Sequence, residues 1–147
     1  FDPRGVGAVR NRAIDIHPWV DDYHGVYGTG FKLAQDAFLL GTSLLGERVF
    51  DVSRAAEFLR RDVGAANVAF VGEGSGAYHA LYAAAAIDDV ASVRLDESPP
   101  SFRDLATADD APFHPELTVF GVVGECDVPR VRAALDRRGV RVTTGAL

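Results

Sequence analysis

The chain has 147 residues, 48% of them apolar and 24% charged, with a net charge of −6. This is the balance of an ordinary globular domain able to build a core; it argues against a basic nucleic-acid surface, and no apolar run is long enough to span a bilayer. A single cysteine, Cys126, excludes an internal disulfide framework and any multi-cysteine zinc site.

The first thirty residues are rich in Gly, Asp, His and aromatics, with weak periodicity, and read as a strand end followed by a long loop. His17, His24, Asp21 and Asp22 fall together there, but no ligand pair has helical spacing, so a solvated loop is the reading and no metal is assigned. Trp19, Tyr23 and Tyr27 are aromatic anchors that could also line a pocket. From Lys32 to Leu45, apolar residues at Leu33, Ala37, Leu40 and Leu44 predict a helix that Gly46 stops. The next helix places Val49, Val52, Ala56, Leu59 and Val63 on one face and ends at Gly64.

Asn67 to Val71 is a short apolar run, read as a buried parallel strand. A glycine-rich turn follows, then a helix over Tyr78 to Ile87 and a strand over Ala91 to Leu95. Asp96 to Pro115 reads as loop, with a helical turn at Phe102 to Leu105; His114 belongs to that loop. Asp127 then caps a helix with Pro129 in its first turn and Val131, Ala134 and Leu135 inside; Gly139 closes it before a strand over Val140 to Thr144. Helices alternating with strands predict a three-layer α/β/α fold with a mostly parallel sheet, as one domain. The opening without Met and the close on a strand suggest a piece of a longer protein, which leaves localisation and oligomeric state undecided.

The turn Gly72-Glu73-Gly74-Ser75-Gly76-Ala77 admits two chemistries. A nucleophile elbow wants small residues two places either side of the nucleophile. Gly72 and Gly76 fill those places, which puts Gly74, without a side chain, in the slot; shifting the frame puts Ser75 there, flanked by Glu73 and Ala77. A dinucleotide fingerprint is matched by Gly72, Gly74 and Ala77, with Asp96 as the ribose-binding acid. Glu73 is either an ion-pair partner, with Arg4 as candidate, or a substrate contact. His79 reads as a packing or surface residue, since a base on that helix could hardly reach over the turn, and Cys126 as a small apolar filler.

Several segments resemble one family. Asp2-Pro3-Arg4-Gly5-Val6-Gly7, the stretch from Ala37 through Leu44-Leu45-Gly46-Glu47-Arg48 to Leu59, Val71 to Ala77 with Ala80 to Ala84, Ser101 to Leu105, and Cys126 to Pro129 with Ala133 to Leu135 are similar to segments of α/β-hydrolases of the acetylxylan-esterase-like group. The resemblance implies a partial α/β-hydrolase fold and hydrolysis of a small carboxylic ester, with acetylated carbohydrate as one candidate, through a serine, a histidine and an acid, with backbone of Ser75 and Gly76 at the oxyanion position and no cofactor. The chain departs from that pattern at Gly74. The family's acid would fall at or beyond Leu147 and its histidine later still, so this stretch is expected not to carry a complete catalytic site. A non-catalytic relative that binds or supports structure is the remaining alternative.

Overall fold

The computed structural model describes residues 1–4, 30–96, 99–109 and 115–145. The chain forms two compact units, Phe1–Arg48 with Phe113–Val119, and Val49–Pro112 with Phe120–Leu147.

In the first unit, residues 30–39 are helical (α1), and α2 begins at Leu44 and runs to Arg61. The single helix expected to stop at Gly46 is therefore two helices, with Gly46 inside the second. The stop is Gly41, whose φ of 76° suits glycine. Its N–H bonds Phe38 O at 3.0 Å while that of Thr42 bonds Ala37 O at 2.9 Å, the paired pattern of a Schellman cap. Ser43 then opens α2 by accepting the Gly46 N–H on Oγ at 3.1 Å. The break leaves Leu40, expected on the inner face, 82% exposed, while Ala34, Ala37, Leu44 and Leu45 are buried. Arg48 is buried too, and its Nε donates to Arg4 O at 3.2 Å.

The second unit is the parallel α/β core expected from the sequence. Its strands are β1 (Val68–Glu73), β2 (Val90–Asp96) and β3 (Arg141–Thr144), in spatial order β1-β2-β3, all parallel. Crossovers run through α3 (Ser75–Ala86) and, after the short helices α4 (Phe102–Thr107) and α5 (Val122–Glu125), through α6 (Val128–Arg137). α3 packs on β1 and β2, α6 on β3, and the two helices touch each other. Leu81, Val93, Leu95 and Leu135 are fully buried between these layers. β1 was expected to be buried on both faces. Its side chains instead alternate: Val68, Phe70 and Gly72 are covered, whereas Val71 on the other face is 59% exposed. Arg94 and Thr143, level with Val71 across the sheet, are exposed as well, so this face shows charge and hydroxyl next to the β1 alanine and valine. Within the described residues no helix is long and apolar enough to cross a membrane.

Candidate functional site

The carboxyl ends of the three strands lie along one edge, the place where open parallel sheets gather ligand-binding groups. At β1 this edge is sharply shaped. The strand ends at Glu73 and α3 starts at Ser75, so Gly74 alone turns the chain. Gly74 has φ 53° and ψ −125°, a region that L side chains adopt only under strain. Its carbonyl accepts the Ala77 N–H at 3.1 Å, which starts the helix without any side-chain cap. A Cβ on Gly74 would meet nothing within 4 Å, so a side chain here would stand in the open above the sheet.

The flanking glycines have a different reason. A Cβ on Gly72 would lie 2.4 Å from Gly76 O and 2.7 Å from the Ala77 Cα. The strand and the first turn of the helix therefore touch backbone to backbone, which needs a residue with no side chain at Gly72. In the elbow frame centred on Gly74, Gly72 is the small position that the packing requires, whereas a Cβ on Gly76, the other, would meet nothing within 4 Å. Ser75 is the first helical residue, exposed, and one place past the strained position. The dinucleotide frame places Gly72 within β1, Gly74 in the one-residue link and Ala77 in α3. The direct pairing of β1 with β2 that this frame also requires is present, and it sets Asp96 beside Glu73 at the strand ends. Glu73 is exposed, and the Arg4 guanidinium meets Glu47 at 2.5 Å. His79 is buried within α3. Cys126 is exposed, not an apolar filler. It sits in the turn that opens α6, and its carbonyl rather than its thiol accepts a hydrogen bond, from Tyr82. His17, His24, Asp21, Asp22, Trp19, Tyr23, Tyr27 and His114 lie outside the described residues.

Beyond β2 and β3 the edge is held by Asp127, the N-cap expected from the sequence, and by contacts to α4 and α3 that the sequence does not show. The Asp127 carboxylate is buried and caps two helices together. Its Oδ1 accepts the Val128 N–H of α6 and the Phe102 N–H of α4, both at 2.7 Å, and Oδ2 takes Arg103 N–H at 3.3 Å. Ser101 and Asp104 add a reciprocal capping box at the start of α4. From α3, the Tyr78 hydroxyl donates to Pro100 O at 2.9 Å and that of Tyr82 to Cys126 O at 2.5 Å, with both rings against Phe102. Burial, reinforced by the charges of Asp127 and Asp104, pushes the Tyr78 phenol up to about 12. Burial raises Tyr82 as well, with Cys126 and Asp127 contributing. The available signal was two tyrosines four apart in an alanine-rich helix, which places both side chains on one face.

No family model, curated protein or solved structure matches the chain.

Proposed function

We propose that the chain is a domain of the carboxylic-ester-hydrolase type in which glycine has replaced the nucleophile, and that it acts without forming an acyl-enzyme at this turn. The observation that supports this is the Gly74 turn: one residue between strand and helix, strained backbone, open space where a side chain would stand, and glycines pressed together on either side. Acyl transfer at an elbow needs an oxygen or sulfur at that point, and Gly74 supplies none. The ligand class implied is a small carboxylic ester, with acetylated carbohydrate as the leading case, held rather than cleaved at Gly74.

The experiment is covalent labelling. The protein is incubated with a fluorophosphonate and with p-nitrophenyl acetate, and adducts are read by intact mass and peptide mapping, with Ser75→Ala in parallel. No adduct and no burst of nitrophenol are expected. A stoichiometric adduct on Ser75, lost in the variant, would overturn the frame and make Ser75 the nucleophile.

A further inference from the structure

From Val49 onward α2 belongs to the second unit. One side of this stretch is covered, with Ala56 buried. The other side carries Phe50, Arg54, Glu57 and Arg61, whose spacing of four, three and four residues keeps them on one stripe of the helix. Arg54 and Arg61 are exposed and Glu57 partly so, and within the helix Glu57 accepts hydrogen bonds from both, that of Arg61 at 3.1 Å. Phe50 in the stripe and Phe58 beside it are each 58% exposed. The outward face of a surface helix ordinarily carries polar groups. Exposed apolar surface rimmed by charge marks an interaction site.

We propose that this stripe docks antiparallel against the same stripe of a second copy of the chain. The order of its charges points to a second copy. Phe50 and Arg61 lie equally far on either side of a level midway between Ala55 and Ala56, and Arg54 and Glu57 are centred on the same level. A two-fold axis at that level sets Arg54 of each copy opposite Glu57 of the other. It also sets Phe50 of each opposite Arg61 of the other, a ring with a guanidinium. The four positions then meet with no like charges opposed, over about 17 Å of helix. A two-fold contact requires one patch to complement itself, and this patch does so in the antiparallel sense. A parallel arrangement would set Arg54 on Arg54 and Glu57 on Glu57. The Glu57 carboxylate can take the added donor, since its two oxygens offer about four acceptor sites. Phe58, flanking the stripe, contributes apolar area. One pair of helices makes a small interface, so the dimer is a weak one. It uses no residue of the Gly74 turn and holds whichever residue acts there.

The test is sedimentation velocity on the unaltered protein from micromolar to millimolar concentration. Monomer should pass to dimer across that range, and added salt should weaken the dimer. Phe50→Ala removes two ring–guanidinium contacts per dimer and should weaken association about tenfold. Arg54→Glu and Glu57→Arg each set like charges opposite one another, so each variant alone should sediment as a monomer. Mixed in equal amounts the two should dimerise, because every acid then meets a base; the regained dimer also shows that both variants fold. A monomer at every concentration, a dimer that Glu57→Arg leaves intact, or a mixture that stays monomeric would each overturn the proposal. The measurement on the unaltered protein needs no variant, so it stands even where a substitution disturbs the fold.

Discussion

Replacing Asp127 by alanine removes one carboxylate, which caps α6 and also holds the first two N–H groups of α4. The side chain is 9% exposed and accepts three backbone N–H groups, two at 2.7 Å and one at 3.3 Å. A lost N-cap costs about 1 kcal/mol. Leaving the Phe102 N–H without its acceptor adds roughly 1–3 kcal/mol, because that donor is buried and water does not replace the lost oxygen. Together these give about 3 kcal/mol for Asp127→Ala. Asp127→Asn can keep Oδ1, and with it both short bonds, giving up the negative charge and the long contact to Arg103. Its cost should be about 1 kcal/mol, the size of one modest hydrogen bond or helix-dipole interaction. Urea unfolding followed by circular dichroism measures both, with the midpoint shift read at constant slope. If Asp127→Ala costs no more than Asp127→Asn, the shared-cap argument is wrong, because the geometry would then contribute nothing beyond charge.

Three further outcomes follow from the same edge. Gly72→Ala should destabilise by roughly 3 kcal/mol or prevent folding, since its Cβ meets backbone at 2.4 Å and overpacking commonly costs about 1–3 kcal/mol; Gly76→Ala, which meets nothing within 4 Å, should unfold at nearly the unaltered urea concentration. Tyr82→Phe keeps the ring against Phe102 and loses the bond to Cys126 O, so a loss of about 1 kcal/mol is expected in the same assay. Tyr78 keeps its proton to about 12 in the folded chain, against an ordinary value of 10.0. Its contribution is therefore complete below about pH 10 and is lost as pH rises towards 12, because the unfolded chain releases the proton first. Phenolate absorbance should show Tyr78 titrating late, in a step that Tyr78→Phe removes; a titration unchanged by that variant would contradict the burial argument.

Much of the second unit was legible because its elements change period cleanly. Runs such as Asn67 to Val71 and Ala91 to Leu95 end at a glycine or a charge, and Asp127 with Pro129 announces α6. The strand-turn-helix was legible for the same reason, and within it Gly72 meets a steric requirement, visible as the close approach of Gly76 O and the Ala77 Cα. The break between α1 and α2 was not legible. Apolar spacing continues through Leu40 to Leu44 as if one helix ran on, and choosing Gly41 over Gly46 as the stop depends on a left-handed backbone and on the Ser43 hydroxyl, both matters of conformation. The half-open state of β1 was hidden as well, because Ala69 and Val71 read as core whether or not anything covers them. The tyrosine and Asp127 contacts bridge residues that are 22 to 44 positions apart, beyond the reach of any local pattern.

The far end of α3 ties the unit together in another way. The last carbonyls of a helix have no donors within it; here one guanidinium meets two of them, and it and a second hold the turn that follows. Arg138 reaches Ala84 O, Ala85 O and Ile87 O, and Arg60 takes the carbonyls of Asp88 and Asp89. The end of the first crossover is thus completed by the end of the second and by α2. Peeling α6 away would strip the acceptors of α3 of their donors at the same moment, so the two crossovers should open as a single cooperative block rather than fray one after the other.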